Sequence, residues 1–334
     1  MTEDERLAAL TRRGYSHRQA QFLLLVLLNS GYFMRRQHAA FLGVADGSRT
    51  SEFVQSLVAR HLAKRRVFAY QTHVYHAASR LLYAAVGEPN SRLRRPVEPA
   101  RLAHRLMTLD VLIAHRGMPC LATADDKVAF FTSGFAVPVA DLPGRIYRSD
   151  DAATPPTTRS FVDRVPILLG ATSVTFVYVS GWSPIGEFAA FLNAYAPLLR
   201  HLPHARVLFC TADDGVVDRA RRMCERRFGS SSVAALDDAE TGRVFAHFEA
   251  RRRFEMRRFR TFTPQDLSQL RADLDRCSGP VYEDWYERWC MAGDAATPPV
   301  SLEKANSQGP APVQFVPHLL VERYPFVGRI KEAA

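Results

Sequence analysis

The fold of the amino-terminal part is decided by the stretch GYFMRRQHAAFLGVADGSRTSEFVQSLVARHLAKRRVFAYQTHVYHAAS, residues 31–79. It contains two helical patterns separated by VADGS, a run of residues that favour turns. The second pattern, residues 49–64, predicts a helix with one apolar stripe, formed by Phe53, Val54, Leu57, Val58 and Leu62. Asp46 or Ser48 could cap this helix. The alternating basic and aromatic segment that follows predicts a two-stranded ribbon with a polar tip.

A further helix is predicted just before this stretch, in SHRQAQFLLLVLLNSG, residues 16–31. Ser16 is placed to cap its start and Gly31 to end it. The pattern at 34–43 predicts a second helix that ends at Gly43, with Phe41 and Leu42 facing inward. Three helices followed by a hairpin are the order of a winged helix-turn-helix, which we expect for residues 1–87.

The outer face of the predicted third helix is the candidate surface for contact with DNA. It has small residues at its centre and arginines at its edges, so that a backbone can approach the floor of a groove. The candidates for contact with base edges are Arg49, Gln55, Ser56 and Arg60. The candidates for contact with phosphates are Arg35, Arg36, Lys64, Arg65 and Arg66. Thr50 and the ribbon-tip residues Thr72 and His73 complete the predicted DNA-binding set.

The distribution of charge favours a polyanionic partner. The chain of 334 residues has a formal net charge of +10. Residues 1–100 hold 15 Lys or Arg against 7 Asp or Glu, so +8 of that charge lies in the first third. The alternative is a winged helix that contacts protein, in which these cations are only solvated surface.

Composition indicates a globular protein of two domains, with 47% hydrophobic and 23% charged residues. The longest apolar run, FLLLVLL at 22–28, is too short to span a membrane. The acidic amino terminus lacks the layout of a secretion signal, so we expect a cytoplasmic, nucleoid-associated bacterial protein. The five scattered cysteines predict reduced thiols rather than disulfides or a zinc ribbon.

Beyond a predicted linker at 88–99, the pattern changes to that of an α/β domain at 100–292. The chain then ends in a linker and docking tail at 293–334. We expect αβββαβ order and carboxyl-terminal helices, which gives a mixed α+β class. The predicted elements are a helix at 99–116, strands at 127–133, 161–169 and 174–180, a long amphipathic helix, and a strand at 205–212.

This order resembles the core of the restriction-endonuclease-like nucleases over residues 99–212. The resemblance implies a divalent metal held by an acid on strand two and an acid-x-Lys pair on strand three. Strand two offers Asp163, but strand three, TFVYVSG, offers neither acid nor lysine. A second match is Asp125-x-Lys127 with Asp110, but Asp110 falls in a helical pattern and Asp125 and Asp126 are predicted turn formers. We therefore expect a non-catalytic domain without metal or other cofactor.

The whole layout is also similar to a family named for replication and relaxation of bacterial plasmids. The matching residues are His104 and Asp110 in the predicted helix AHRLMTLDVLIAH, and the strand pair RSFVDRVPILLG and VTFVYVSG. The resemblance implies DNA binding and the biology of plasmids or mobile elements.

Three other patterns carry possible chemistry. His73-x-x-His76 and His201-x-x-His204 have metal-like spacing, but a strand directs the first pair to opposite faces and the second lacks a third ligand. The basic run at 243–262 is interpreted either as a phosphate-contacting surface or as a packed helix with a solvated face, and we favour the packed helix. DWYERWC, residues 284–290, is typical of a core or a dimer contact.

The sequence thus predicts a sequence-specific double-stranded DNA-binding transcriptional regulator, such as a repressor, that acts as a homodimer on a palindromic site. The alternative from another class is a DNA-processing factor, either a nuclease or a plasmid replication and relaxation accessory protein. A protein-interaction module without a DNA role is the third possibility.

Overall fold

The structure, a computed structural model, has a mixed α+β architecture. It describes residues 1–147, 157–181, 185–228, 238–256, 262–273, 277, 280–296, 313–321 and 324. Within these ranges, no helix combines the length and apolar character needed to cross a membrane.

Residues 1–87, here called the head, contain five helices. Ser16 forms a capping box with Gln19 at the start of the second helix, which continues beyond Leu25 as a π-helical segment, Val26–Ser30. Gly31 ends this segment and Gly43 ends the third helix, and both adopt left-handed backbone conformations, as their predicted terminating roles require. The helices are α1 (Glu3–Thr11), α2 (His17–Leu25), α3 (Arg35–Leu42), α4 (Ser48–Ala59) and α5 (Arg80–Ala85).

The helix that was predicted over 49–64 is shorter at its carboxyl end. Arg60 is its carboxyl-terminal cap and His61 has a φ of 53°, so the chain turns before it enters a strand at Lys64. The amino-terminal cap is Gly47 rather than Asp46 or Ser48. Leu62 is buried as predicted, but it lies in the turn that follows the helix.

The ribbon is part of a three-stranded antiparallel sheet with the order β1-β3-β2. The sequence did not indicate β1 (Tyr32–Phe33), which pairs with β3 (Thr72–His76), while β2 (Lys64–Phe68) pairs with the other side of β3. Phe33 and Tyr75 stack on the face that packs into the head core. The other face buries Tyr32, Phe68 and Val74 against residues of α6 (Pro99–Ala114).

The head is therefore joined to the rest of the chain by a continuous apolar contact. The predicted linker at 88–99 takes part in it, since Leu93 is buried and packs in the same core as Leu109 and Ile113 of α6. The side chain of His76 contributes a hydrogen bond to the carbonyl oxygen of Leu93 at 3.0 Å.

The main sheet has five strands in the order β10-β9-β8-β7-β4. The β7 strand runs antiparallel to both β4 and β8, whereas β8, β9 and β10 run parallel to one another, and α8 (Ile185–Arg200) connects β8 to β9. The strands are β4 (Cys120–Leu121), β7 (Ile167–Leu169), β8 (Val174–Val179), β9 (Ala205–Thr211) and β10 (Gln314–Leu319). A separate hairpin consists of β5 (Gly144–Tyr147) and β6 (Thr157–Ser160).

The predicted strand at 127–133 is wrong, because these residues belong to α7 (Ala124–Gly134). Thr123 and Asp126 form a capping box, which starts a helix where we expected turn formers. Asp125 and Asp126 lie in its first turn, where the helix dipole favours negative charge. The predicted strand at 161–169 is a strand only over its last residues, Ile167–Leu169.

Four more helices follow: α9 (Val217–Phe228), α10 (Asp238–Glu255), α11 (Pro264–Asp273) and α12 (Pro280–Ala292). The aromatic residues of DWYERWC form a core with α10, in which Trp285 is fully buried. The terminal segment docks on its own chain, since β10 adds a parallel strand beside β9.

Candidate nucleic-acid interface

The α4 helix is held on the head by its apolar stripe, of which Phe53, Val54 and Leu57 are buried. The imidazole of His38 in α3 stacks on Phe53 with ring centres 4.1 Å apart. Burial lowers the pKa of His38 to about 4, and neither ring nitrogen has a hydrogen-bond partner within the described part of the chain. The ring therefore packs as a neutral apolar group that fixes α4 against α3.

The opposite face of α4 is open to solvent. Arg49, Gln55, Ser56 and Arg60, the four predicted base-edge contacts, are exposed, and Glu52 and Ala59 lie beside them. The Arg60 guanidinium lies 5.4 Å from the centre of the Tyr15 ring. Neither Arg49 nor Arg60 forms an ion pair with a residue that the structure describes. Two cations are thus presented at the two ends of one exposed helix face.

Thr50 does not belong to this face, contrary to the prediction. It is fully buried, and its hydroxyl donates to the Asp46 carboxylate at 2.8 Å and contacts the Gly47 carbonyl oxygen at 2.7 Å. Thr50 stabilises the turn before α4, and its hydroxyl group is already hydrogen-bonded within the protein.

The two arginines of α3 are already paired. Arg35 forms an ion pair with Asp46 at 2.8 Å on the surface. Arg36 donates to the Asp110 carboxylate of α6 at 3.2 Å and also to the Tyr324 hydroxyl. Phosphate contact by Arg36 was predicted, but the guanidinium instead links the head to α6 and the carboxyl-terminal segment.

Tyr324 completes that link. Its side chain is 1% exposed, and its hydroxyl donates to Asp110 and accepts from Gln37 at 3.0 Å. Gln37 also donates to the Leu106 carbonyl oxygen of α6 at 2.9 Å. This cluster of Arg36, Gln37, Asp110 and Tyr324 is called the polar clamp below.

The predicted cations of the ribbon differ in how exposed they are. Lys64 and Arg65 are exposed. Arg66 is half-buried, with its guanidinium 5.4 Å from the centre of the Phe68 ring. Thr72 and His73 are half-buried. Lys64 and Arg65 are therefore the members of this set that a nucleic acid reaches most directly.

Sequence reasoning missed three exposed residues on the same part of the head. Tyr70 at the ribbon tip is 81% exposed, and it and Gln71 have left-handed backbone conformations. Arg12 and Arg13 at the end of α1 are also exposed. Burial raises the pKa of Tyr15, while the nearby charges of Arg60 and Arg13 act in the opposite direction, which places Arg13 close to the end of α4. An adjacent pair of arginines after an amphipathic helix was the available signal.

The first histidine pair lies on opposite faces of the ribbon, as the spacing predicted. His76 is buried on the face that packs toward α6, whereas His73 pairs with Val67 and forms an edge contact with Tyr75 on the other face. His201 contacts the Asp141 carboxylate at 2.7 Å. Within the described ranges, no group of three or more His, Cys, Asp or Glu is arranged to hold a metal ion.

The predicted nuclease carboxylates are engaged separately. Asp163 accepts a hydrogen bond from the Tyr195 hydroxyl at 2.8 Å, and Asp110 accepts one from the Arg36 guanidinium at 3.2 Å. Lys127 is buried and its ammonium donates to the Val165 carbonyl oxygen at 2.6 Å. Burial lowers the pKa of Lys127 to about 8. The Asp125-x-Lys127 pattern is therefore split by α7, which exposes Asp125 and buries Lys127.

The second basic cluster packs as a helix. Arg251 of α10 donates to Glu283 at 2.8 Å and to Glu255 at 2.9 Å, and its guanidinium lies 4.1 Å from the centre of the Tyr286 ring. Arg252 lies over the Trp289 ring. Arg257, Arg258 and Phe259, which the interpretation also included, lie outside the described residues.

Comparisons of the chain with protein-family models, with curated proteins and with solved structures found no match.

Proposed function

We propose that the protein is a sequence-specific double-stranded DNA-binding regulator of transcription whose head acts as a winged helix-turn-helix. The observation that carries this proposal is the exposed face of α4. It presents Arg49, Gln55, Ser56 and Arg60 from a helix whose opposite stripe is buried in the head. A helix of this kind can enter the major groove, where arginine and glutamine read base edges.

The distribution of unpaired cations supports the same surface. Several arginines of the head are used internally: Arg6 pairs with Asp126, Arg35 with Asp46 and Arg36 with Asp110. Eight exposed cations of the head form no ion pair within the described residues. Six of them lie at the end of α1, on α4 and its cap, or on β2: Arg12, Arg13, Arg49, Arg60, Lys64 and Arg65; the other two are Arg18 on α2 and Arg80 on α5. Such a set provides affinity for the phosphate backbone, and the polar residues of α4 provide the choice of sequence.

We further propose that the regulator binds as a homodimer on a palindromic site. One head of this size covers only a few base pairs, and two-fold repetition supplies the remaining specificity. The rigid attachment of the head to α6 supports this arrangement, because a fixed distance between two heads requires that each head is fixed to its own protomer.

The test is selection of duplexes from a random pool by the full chain, followed by fluorescence anisotropy on the selected duplex at several salt concentrations. We expect one preferred palindrome, with an affinity that falls by a log–log slope of roughly 0.9 per phosphate contact. Incubation of the same duplex with magnesium or manganese should leave it uncut. Absence of duplex binding at low salt, or cleavage of the duplex, would overturn the proposal.

A further inference from the structure

A cavity of about 480 Å³ lies between the head and the carboxyl-terminal part. Its walls come from α1, α2 and α3 on one side, and from the end of α6, the loop at 116–119, β4 and β7 on the other. This volume is within the range of small-molecule sites, roughly 300–1,000 Å³. Its apolar lining includes Leu24, Leu28, Phe41, Leu112, Met118 and Leu168.

Three arginines also line the cavity: Arg6, Arg18 and Arg116. Glu3 is the one acidic residue among its lining residues. Arg18 and Arg116 are exposed, and neither forms an ion pair with a residue that the structure describes. Their hydrogen bonds to the carbonyl oxygens of Leu42 and Ile113 are long, at 3.4 and 3.5 Å. Both guanidinium groups therefore keep donors for another acceptor.

Arg6 adds an unsatisfied donor inside the wall. The residue is 8% exposed and its terminal nitrogens are paired with Asp126, but its Nε is buried without a hydrogen-bond partner. A buried donor left without a partner destabilises the protein, so an acceptor that reached it would be favoured.

We propose that this cavity binds a small organic carboxylate with an apolar body. The arginines provide the planar forks that match a carboxylate, and two arginines without an ion pair, Arg18 and Arg116, against one acid, Glu3, favour an anion over a cation. The leucine, phenylalanine and methionine side chains provide the surface for a hydrocarbon or aromatic body. A fully hydrophilic anion would leave these apolar side chains in contact with water.

The position of the cavity gives the ligand a role. Phe41 and Leu42 belong to α3, which packs on α4, and Leu112 belongs to α6, which packs on the back of the ribbon. A ligand between these walls changes how α3 and α4 are held against α6, so it sets the affinity of the head for DNA. This coupling, unlike the binding itself, rests on the proposed function.

The binding is tested by isothermal titration calorimetry of the full chain with octanoate, octan-1-ol and octyltrimethylammonium at constant ionic strength. We expect octanoate to bind at least about tenfold more tightly than either of the others, as one or two charge-assisted hydrogen bonds predict. Equal binding of octanoate and octan-1-ol, or no binding of octanoate, would overturn the proposal.

Variants locate the site. Arg18→Ala and Arg116→Ala should each weaken octanoate binding roughly tenfold, because each removes a guanidinium donor to the carboxylate. Both side chains are exposed, so the fold does not depend on them. Ala122→Phe fills the cavity from a half-buried position and should abolish binding. The matched control is Arg145→Ala in the exposed β5 strand, which removes the same charge elsewhere. Octanoate binding that survives all three cavity substitutions unchanged would overturn the assignment of the site.

The coupling is tested on the selected duplex with and without saturating octanoate. We expect the duplex affinity to change severalfold with the wild type and not with Arg116→Ala. If octanoate bound without any change in duplex affinity, the proposed coupling would be overturned, but the assignment of the binding site would stand. If the chain bound no duplex, the proposed function would fail, while the calorimetric titration would still decide the site.

Discussion

Arg49 and the cap residue Arg60 of α4 are exposed, and Arg251, Arg252 and Arg253 of α10 are half-buried, yet the arginines of the two helices have different surroundings. Arg251 of α10 is surrounded by Glu255, Glu283 and the Tyr286 ring. Arg49 and Arg60 of α4 have no carboxylate partner within the described residues, and the stripe behind them is buried in the head. The comparison teaches that the number of arginines does not locate a polyanion surface. A candidate polyanion surface is indicated instead by arginines that are not already paired with acidic side chains of the same protein.

The largest effect is expected from a substitution in the aromatic core that α10 forms with α12. Trp285 is fully buried among aromatic rings, and its indole nitrogen donates to the Ala296 carbonyl oxygen at 3.1 Å. Trp285→Ala should lower the free energy of unfolding by about 3–5 kcal/mol in urea denaturation, because it leaves a large cavity. Duplex affinity, measured where the variant remains folded, should not change. The control is Met291→Ala, at an 83% exposed position of α12, the helix that also contains Trp285. It should change neither the free energy of unfolding nor the duplex affinity.

The next largest effects are expected from alanine substitutions of single arginines in each of the two helices. Arg49→Ala or Arg60→Ala should cost about 1–3 kcal/mol of affinity for the preferred duplex, with loss of site preference and little change in unfolding free energy. Arg251→Ala should do the reverse, since it leaves Glu283 without its partner and lowers the unfolding free energy by about 1–2 kcal/mol. Fluorescence anisotropy and urea denaturation of the same samples separate the two effects. An Arg251→Ala variant that lost duplex affinity without loss of stability would contradict the comparison.

A comparable effect on the head alone should come from acid. The pKa of His38 is about 4 in the folded head and near 6.5 when unfolded, so the unfolded state binds the proton first as the pH falls. Stability is therefore complete above about pH 6.5 and declines between pH 6.5 and 4, by roughly 2 kcal/mol at pH 5. Urea denaturation at pH 7 and pH 5 measures this change, and His38→Phe should remove the part that His38 contributes. His76 of the head and His247 of α10 are also buried, and burial lowers the pKa of each, so His76→Phe and His247→Phe variants are the necessary comparisons.

The smallest expected effect concerns Lys64, which we propose holds phosphate without reading sequence. Lys64→Ala should weaken binding to every duplex by about the same few-fold factor and reduce the salt slope by roughly one. Anisotropy titrations on the preferred duplex and on a scrambled one, at several salt concentrations, measure both quantities. Loss restricted to the preferred duplex would place Lys64 among the base contacts.

The parts of the fold that sequence reasoning predicted correctly are those fixed by local chemistry. Ser16, Gly31 and Gly43 mark helix ends through their own hydrogen bonds and backbone angles, and the stripe of α4 follows the helical period. The strand predicted at 127–133 failed because a short apolar run fits a strand and a buried helix equally well. Strands of two residues, such as β1 and β4, carry too few side chains to give any period.

The candidate site shows the same division. Exposure of Arg49, Gln55, Ser56 and Arg60 followed from the period of one helix, and so was predicted. The burial of Thr50 was not, because it depends on how the turn at Asp46 folds back on the helix. The engagement of Arg36 could not be predicted locally, since its partner Asp110 lies 74 positions away in the sequence.

The polar clamp and β10 have a consequence for the order in which the molecule is made. Both depend on the last part of the chain: β10 covers the edge of β9, and Tyr324 reaches Arg36 across 288 positions of sequence. While a ribosome still holds these residues, the head can already pack, but the backbone edge of β9 has no neighbour and Arg36 lacks its phenol partner. A message truncated before residue 314 therefore yields a chain that keeps α4 and exposes a strand edge to its copies.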